Sequence, residues 1–449
     1  MTKVKESSSS EMNVDPEDMQ VVQMIETRLN DAVFGEIGEE GPNFRNVGWI
    51  GTTALMMKTQ IGLGVLSLPS VFDSVGLIPG VILLCAVAGL TTWSDYMVGV
   101  FKVNHRAVYG VDDVGQLIFG RIGKEVLAVA FMGLYVMSAG SAMLSLSICF
   151  NSLSDHGACT AIFVAAAFIL VFLLSSIRTL DRVSWLALIG VVGIVTAVLI
   201  VTIAVGVQSQ PDSAPNDVEW KSDYKLFGDP TFSQAVSAVS SLIFAFAGTG
   251  AFFPIVAEMR DPRLYPRAVA VCQTLITVIY LVVGVVVYYY CGSYVASPAL
   301  GSAGKTIKKV AYGIALPGLL ASGILMAHVS SKYVFVRILR GSHHLTSTYV
   351  LASAITVFNG IVSLAGALFG TLLCFQPMGC MWLYDNWGRG KDKPTMRWRL
   401  MVGWSIFVIV SGTFMMIAGT YGAILGIIDL YNANGGTSAW SCADNSNSS

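Results

Sequence analysis

The chain has 449 residues, of which 54% are hydrophobic and only 12% are Asp, Glu, Lys or Arg. A soluble domain carries about 25% charged residues, so this composition indicates a chain whose surface meets lipid. The net charge is −1 and no basic domain is present, so we expect no nucleic-acid partner. The sequence has no G-x-S-x-G, H-E-x-x-H, P-loop or CxxC motif, which argues against an enzyme and against a bound metal or cofactor.

Apolar segments separated by charged residues predict eleven transmembrane helices, because about 20 mostly apolar residues cross a bilayer as one helix. The stretch between Arg340 and Asp385 contains no charged residue and is too long for one helix, so we divide it at a tight turn at Ala365 and Gly366. The predicted spans are 47–71, 75–100, 126–150, 158–177, 183–207, 232–257, 268–291, 310–334, 349–364, 367–384 and 400–428. We therefore expect an all-α membrane protein with polar tails at 1–46 and 429–449.

The positions of lysine and arginine orient these spans, because positive residues concentrate in cytoplasmic segments. With a cytoplasmic N-terminus, 21 of the 27 Lys and Arg lie inside. The exceptions are Lys221, Lys225, Lys305, Lys308 and Lys309, in outer segments, and Lys58, in the membrane. The pattern thus predicts a cytoplasmic N-terminal tail and an extracytoplasmic C-terminal tail.

Two of the eight cysteines fall on the predicted outer side of the membrane. They are Cys159 and Cys442, and an oxidising compartment permits a disulfide between them. Most of the others lie inside apolar runs, where free cysteine behaves as a small hydrophobic residue. A disulfide between the outer two therefore remains open from the sequence.

Two predicted spans contain helix-breaking residues at matching positions: IGLGVLSLP (61–69) in the first and FAGTGAFFP (246–254) in the sixth. Main-chain groups freed in a membrane are tolerated only beside protein or a wet cavity. Because these spans open two groups of five, the halves enter the membrane from opposite sides, as in a five-plus-five inverted repeat with one extra helix. Such paired interruptions are typical of a transporter binding site, whose helix ends can hold the carboxylate and ammonium of an amino acid. The alternative is that the glycines serve close helix packing.

Lys58 lies one helical turn before Gly62 in the first span. An ionisable residue inside a membrane span is a functional candidate by default. We predict a role in proton coupling, with the amine in the place that a sodium ion takes in related sodium-driven carriers. Structural pairing and snorkelling to the inner interface are the alternatives.

The eighth span carries His328, followed by Ser330 and Ser331. Histidine titrates near neutral pH, so His328, Ser330 and Ser331 are candidates for proton coupling. The two serines are interpreted as the remainder of a cation site. A buried neutral histidine is the alternative, with serines that bond back to their own helix.

Several acidic and basic residues lie near span ends. Glu258, Arg260 and Asp261 follow the sixth span at the inner face and are interpreted as a gating salt-bridge cluster, or else as a solvated helix end. Asp95 and Asp429 are interpreted as interfacial because each lies close to the end of its span.

Two segments resemble the signatures of the amino acid/auxin permease family of the amino acid-polyamine-organocation superfamily. They are KTQIGLGVLSLP (58–69) and IFAFAGTGAFFPIVAEMRDP (243–262), and the resemblance extends over most of residues 44–428, in particular to fungal neutral amino acid permeases. It implies a LeuT-like fold with proton symport of aliphatic and aromatic amino acids. It further implies that the substrate is held by Ile61, Gly62, Gly64 and Val65 of the first span and by Phe246, Ala247, Gly248 and Thr249 of the sixth.

We therefore expect a proton-coupled importer of neutral amino acids at the plasma membrane, with the amino acid, protons and the lipid bilayer as its partners. The small residues Ala247 and Gly248 leave volume for a bulky substrate side chain. A vacuolar exporter of the same fold and a non-transporting nutrient sensor are the alternatives.

Overall fold

The computed structural model describes residues 30–31, 35–36, 46–175, 180–208, 210–211, 214, 220–296, 298–339, 362–391, 394–433 and 442. Two short antiparallel strands, β1 (Asn30–Asp31) and β2 (Gly35–Glu36), precede the helices. In chain order the helices are α1 (Trp49–Gln60), α2 (Leu63–Val75), α3 (Leu77–Asn104), α4 (Val111–Ser154), α5 (Thr160–Ser175), α6 (Leu180–Val207), α7 (Phe232–Ala245), α8 (Thr249–Ala257), α9 (Tyr265–Cys291), α10 (Lys305–Leu339), α11 (Val362–Ala365), α12 (Thr371–Cys374), α13 (Gln376–Lys391) and α14 (Met396–Ala433). Short 3-10 helices cover Pro262–Leu264, Gly292–Tyr294 and Ala299–Ser302, and a π-helix covers Gly366–Gly370.

The predicted all-α membrane architecture is confirmed in its coarse form. Within the described residues, eight helices are long and apolar enough to cross a membrane, and the bent pair α1–α2 brings the number to as many as nine. The fourth predicted span corresponds to α5, which is apolar but has only 16 residues. The ninth, apart from its last three residues, lies outside the described part of the chain.

The span formed by α7 and α8 is central in the helix bundle and α14 is peripheral, as the buried fractions of their residues indicate. In the span formed by α7 and α8, 78% of the 18 consecutive residues that are most apolar are buried, whereas the corresponding share in α14 is 17%. The exposed residues of α14 include Ile406, Phe414 and Ile417, which suit a surface in contact with lipid tails. The sixth predicted span therefore lies at the centre of the bundle, where main-chain polar groups can be covered by protein.

The predicted tight turn at Ala365 and Gly366 is wrong. Ala365 has helical dihedral angles, φ −61° and ψ −42°, and leads directly into the π-helix that begins at Gly366. Gly366 packs against α7, where an added Cβ would lie 2.7 Å from the Phe244 Cβ. The glycine thus allows close packing of two membrane helices, and the chain stays helical from α11 to α12.

One feature interrupts α4 and another lies just beyond its C-terminal end. The helix contains a break at Gly120, with φ 70° and ψ −155°, so its 44 residues form a short first segment and a longer one that contains the third predicted span. Just beyond α4, Cys159 forms a disulfide with Cys442. The bond that the sequence left open is therefore present, and it ties the C-terminal tail to the start of α5.

Candidate substrate and coupling site

The first predicted span is interrupted where the sequence places its glycines. Helix α1 ends at Gln60, Ile61 and Gly62 are non-helical, and α2 continues after a bend of 46°. No side chain caps the N-terminus of α2, so the first N–H groups of this helix are open to a ligand. The end of α1 and the start of α2 thus offer main-chain acceptors and donors side by side.

The sixth predicted span is interrupted beside the first. Helix α7 ends at Ala245, Phe246 and Ala247 form a turn, and α8 begins at Thr249. The two interruptions are in contact, because a Cβ added to Gly248 would lie 2.6 Å from the Thr59 Oγ1. The close approach of the Thr59 and Gln60 side chains explains why glycine occupies this position.

Gly64 allows a second close approach between the interrupted spans. A Cβ at this residue would lie 2.5 Å from the Ala245 Cα and 2.8 Å from the Ala245 Cβ. Any larger residue would push α2 away from α7. The predicted glycines therefore permit both the interruption of the spans and their contact, so site formation and close packing are not exclusive.

Tyr280 joins the ends of the two half-helices. Its hydroxyl lies 2.8 Å from the main-chain oxygen of Gln60 and 2.9 Å from that of Ala245, and its single proton can bond either one. Its ring also packs edge-on against Phe246, with centroids 5.0 Å apart. The amino-acid sequence does not single out this residue, because it is one of several tyrosines in an apolar run of α9.

A cavity lies between the interrupted spans, α4 and α10. It has a volume of about 40 Å³ and is lined by Lys58, Thr59, Gln60, Gly62, Gly64, Tyr135, Ser138, Ala142, Phe244, Ala247, Ser322 and Met326. A water needs about 10–15 Å³ by this measure, so the cavity has room for about three waters. An amino acid is larger than this, so its binding requires the cavity to widen.

The predicted substrate-binding residues are all buried around this cavity, but only some of them line it. Gly62, Gly64 and Ala247 contribute to its surface. The other five lie in the packed shell beside the interruptions: Ile61, Val65, Phe246, Gly248 and Thr249. Their contact with a substrate stays a prediction.

Lys58 is fully buried, and its Nζ donates to the main-chain oxygen of Ile61 at 3.0 Å. Its Cε lies 3.2 Å from the position of a Cβ on Gly190 of α6, and Ser322 of α10 lines the same cavity. The alternative of snorkelling to the interface is wrong, because the side chain ends inside the protein. In the described part of the chain no carboxylate forms an ion pair with Lys58, so its ammonium is bound by a neutral oxygen.

The predicted coupling residues of α10 lie apart from Lys58. His328 is fully buried and lines a second, smaller cavity of about 10 Å³ with Tyr333 and Pro254, and the two cavities share no lining residue among those that the structure describes. Ser330 and Ser331 donate to the main-chain oxygens of residues 326 and 327 on their own helix. The alternative that these serines bond back to their helix is confirmed, whereas a relay role for the group stays a prediction.

The residues predicted to form a gate attach the end of α8 to the segment before α1. Arg260 donates to the Asn46 Oδ1 at 2.6 Å, and main-chain bonds pair Val47 with residues 258 and 260. Asp261 accepts from the main-chain nitrogen of Arg263 and so caps a 3-10 helix. Glu258 is buried at the same place. The three residues thus lie together at the predicted inner end, while their gating role stays a prediction.

The interpretation of Asp95 as interfacial is wrong. This residue of α3 is fully buried, its carboxylate accepts from the Thr249 Oγ1 at 2.7 Å and from the Gln273 Nε2, and its main-chain oxygen accepts from the Tyr265 hydroxyl. Asp95 lies within a long apolar helix, and an acidic residue in such a span is a functional candidate by default. That signal was present in the sequence. The position of Asp95 close to the end of its predicted span favoured the interfacial interpretation instead.

Two interrupted helices that meet at a partly polar cavity define a membrane transporter fold. The solved structure of MhsT in complex with L-phenylalanine superposes on the chain with a TM-score of 0.51 at 14% identity, covering 86% of this chain and 98% of that chain. At this identity the likeness concerns the fold alone.

The model of the family described as transmembrane amino acid transporter protein matches residues 45–425, and the chain belongs to this family. It is 31% identical over 431 residues to a transmembrane transporter of Gibberella moniliformis (91% of this chain, 90% of that one) and 30% identical over 430 residues to the N amino acid transport system protein of Neurospora crassa (91% of each). A more distant relative is vacuolar amino acid transporter 3 of Saccharomyces cerevisiae, 22% identical over 312 residues (67% of this chain, 43% of that one). The family resemblance is thus confirmed, and the chain is a transport protein rather than an enzyme.

Proposed function

We propose that the chain is a secondary active transporter that carries neutral aliphatic and aromatic amino acids together with protons across the plasma membrane. The observation that carries this proposal is the cavity between the two interrupted helices, with the buried amine of Lys58 in its wall. The chain matches 91% of the length of the N amino acid transport system protein. The name of this relative supports an amino acid as the substrate.

The ends of the half-helices suit the two charged groups of an amino acid. The uncapped N-terminus of α2 presents free N–H groups and the positive end of a helix dipole to the carboxylate. Main-chain oxygens near the end of α7, such as that of Ala245, suit the ammonium. The described cavity lining contains no Asp or Glu that could pair with a basic substrate side chain, and Phe244, Ala247 and Met326 offer apolar surface. These features favour a neutral substrate.

Lys58 suits a proton-dependent clamp. In its protonated form the amine holds the non-helical Ile61 main chain, and it lies beside Gly190 of α6 and Ser322 of α10. Loss of the proton would weaken the bond to Ile61 and free α1 to move relative to those helices. Proton binding would in this way be linked to the opening and closing of the cavity.

For the architecture we propose eleven spans in a five-plus-five inverted repeat with one extra helix. The argument is positional: the interruptions fall in the first and sixth predicted spans, and the two meet beside one cavity. In support of this count, described helices cover most of ten of the predicted spans, and eight of them, or nine with the bent pair α1–α2, are long and apolar enough to cross a membrane. The accessibility of cysteines introduced into both tails, with the N-terminus predicted inside, would test the odd number of spans.

Uptake of radiolabelled leucine or phenylalanine into proteoliposomes tests the function. We expect accumulation when the outside is acidic and little accumulation without a pH gradient. The variant Lys58→Met should lose the gradient-driven accumulation, whereas the control Lys305→Met, at an exposed outer lysine, should retain it. Wild-type uptake that ignores the pH gradient would refute proton coupling, and a response to a sodium gradient instead would identify the other ion.

The vacuolar membrane is the second candidate location, because a yeast relative is named as a vacuolar amino acid transporter. A fluorescently tagged chain expressed in its host distinguishes the two locations. Signal confined to internal membranes would replace plasma-membrane import with vacuolar export, since vacuolar protons would then drive the amino acid from the vacuole into the cytosol.

A further inference from the structure

A buried carboxylate lies beside the two interrupted helices. Asp95 on α3 is fully buried. Its Oδ1 accepts from the hydroxyl of Thr249, the first residue of α8, at 2.7 Å, and its Oδ2 accepts from the amide of Gln273 on α9. An ionised carboxylate inside a protein is unfavourable unless a nearby charge compensates it. The surroundings of Asp95 therefore decide which form it takes.

No cation compensates Asp95 among the described residues. The titratable groups that interact with it are uncharged tyrosines and cysteines from three helices. They are Tyr265 and Cys272 on α9, Cys374 on α12 and Tyr135 on α4. Lys58 on α1 directs its amine to the oxygen of Ile61 instead. A carboxyl group surrounded in this way is neutralised most simply by a proton of its own.

Two glutamines connect Asp95 to the cavity. The Gln273 Nε2 that binds Asp95 also lies 3.4 Å from the Gln60 Oε1, and Gln60 lines the cavity. In this arrangement the buried Gln60 Nε2 and Gln273 Oε1 have no hydrogen-bond partner within the described residues. One donor and one acceptor thus remain unsatisfied on adjacent amides, which is unfavourable in a buried site.

Protonation of Asp95 provides a second arrangement for the same amides. When Oδ2 gains a proton from water, it becomes a donor, and the Gln273 amide turns so that its Oε1 accepts from it. The Gln60 amide turns as well, so that its Nε2 donates to the same Gln273 oxygen. The Gln60 Oε1 then takes the buried place that its Nε2 holds in this structure, and it can accept from the ammonium of a substrate once the cavity widens.

We propose that Asp95 is a proton-binding site, and that Gln273 transmits its protonation to Gln60, which then binds the ammonium of the amino acid. This inference rests on the proposed function, but it uses a titratable group different from Lys58. It predicts that proton and substrate binding reinforce each other, because each stabilises the same orientation of the two amides.

Infrared spectroscopy of the reconstituted protein tests the proton site without relying on transport. Titration from about pH 8 to about pH 5 should produce the carbonyl stretch of a protonated carboxyl group that is absent from Asp95→Asn. The control Asp229→Asn, at an exposed outer loop residue, should keep this band. Gln273→Met should keep it too, because the carboxyl group and its bond to Thr249 remain.

Leucine binding to purified protein at several pH values tests the transmission. Wild-type Kd should fall by about fivefold or more on acidification. This pH effect should shrink by about fivefold in Asp95→Asn and in Gln273→Met, and the double variant should show no further loss, because both residues act in one switch. Should Asp95→Asn fail to fold, the Gln273→Met comparison still tests the transmission.

Two results would overturn the inference. One is an Asp95→Asn variant with the same titrating carboxyl band as the wild type. The other is a Gln273→Met variant whose leucine Kd depends on pH as strongly as that of the wild type. Neither result depends on whether a pH gradient drives uptake in vesicles, so failure of the proposed function and failure of the switch can be told apart.

Discussion

Substitution of Gly64 by alanine tests the contact between the two interrupted helices most directly. The added Cβ would lie 2.5 Å from the Ala245 Cα, whereas ordinary contacts of a Cβ fall at 3.4–4 Å. The obstructing atom belongs to the main chain of α7 and cannot rotate away. The Gly64→Ala variant must therefore shift α2 from α7 by about 1 Å, since a packed interior has no spare volume.

The expected cost of this shift has two parts. Overpacking of a membrane protein interior by one methyl group should lower the free energy of unfolding by about 1–3 kcal/mol. A displacement of about 1 Å in a binding site typically costs about a hundredfold in efficiency. We therefore expect Gly64→Ala to be less stable than the wild type and to lose about two orders of magnitude in Vmax/KM for leucine.

Initial rates of leucine uptake into proteoliposomes, normalised to the amount of inserted protein, measure the second quantity, and thermal unfolding in detergent measures the first. The matched control is Gly403→Ala on α14, where an added Cβ meets no atom within 4 Å. This control adds the same methyl group to a membrane helix without a clash. We expect it to behave as the wild type in both assays.

Wild-type uptake and wild-type unfolding temperature in Gly64→Ala would refute the close contact of α2 with α7. A variant that unfolds earlier but transports normally would separate packing from the site, and would show that Gly64 serves helix packing alone.

Three further predictions follow from other contacts. Tyr280→Phe removes one hydrogen bond between the half-helix ends, worth about 1 kcal/mol, so leucine affinity should fall by about fivefold. The hydrogen bond from Lys309, 2.5 Å away, holds the pKa of Asp155 below its ordinary value, so this pair adds stability at neutral pH and loses it as the pH falls through the lowered pKa. Asp155→Asn should therefore lower the unfolding temperature at neutral pH but not in acid. Alkylation without reduction should leave Cys159 and Cys442 in one linked peptide by mass spectrometry.

Each of these predictions has its own control or contrary result. Tyr421→Phe removes a hydroxyl from the exposed face of α14 and should leave leucine affinity unchanged. An equal loss in both tyrosine variants would contradict the role of Tyr280. A difference between Asp155→Asn and the wild type that persists in strong acid would mean that the ion pair with Lys309 is not its source. Separate alkylated peptides from the two cysteines would rule out their disulfide in the isolated protein.

Much of the fold and part of the site could be read from the order of residues. Lipid requires long apolar segments, so most of the spans could be located from the gaps between charged residues. Glycine and proline act on the backbone locally, so the interruptions beside Gly62 and Gly248 could be predicted without knowing which helices pack against them. Lys58 could also be identified as a functional candidate, because an ionisable residue is rare within an apolar span.

Other features depend on which side chains the folded chain brings together. The burial of Asp95 is set by Thr249 and Gln273, which are distant in sequence, and position along α3 alone suggested an interface. The link that Tyr280 makes between the two interruptions likewise needs α1, α7 and α9 in their final places. Gly366 was mistaken for a turn because the sequence does not reveal that Phe244 packs against it. Local backbone chemistry and the demands of lipid are properties of the sequence, whereas burial, pairing and cavity shape arise only when separate helices pack together.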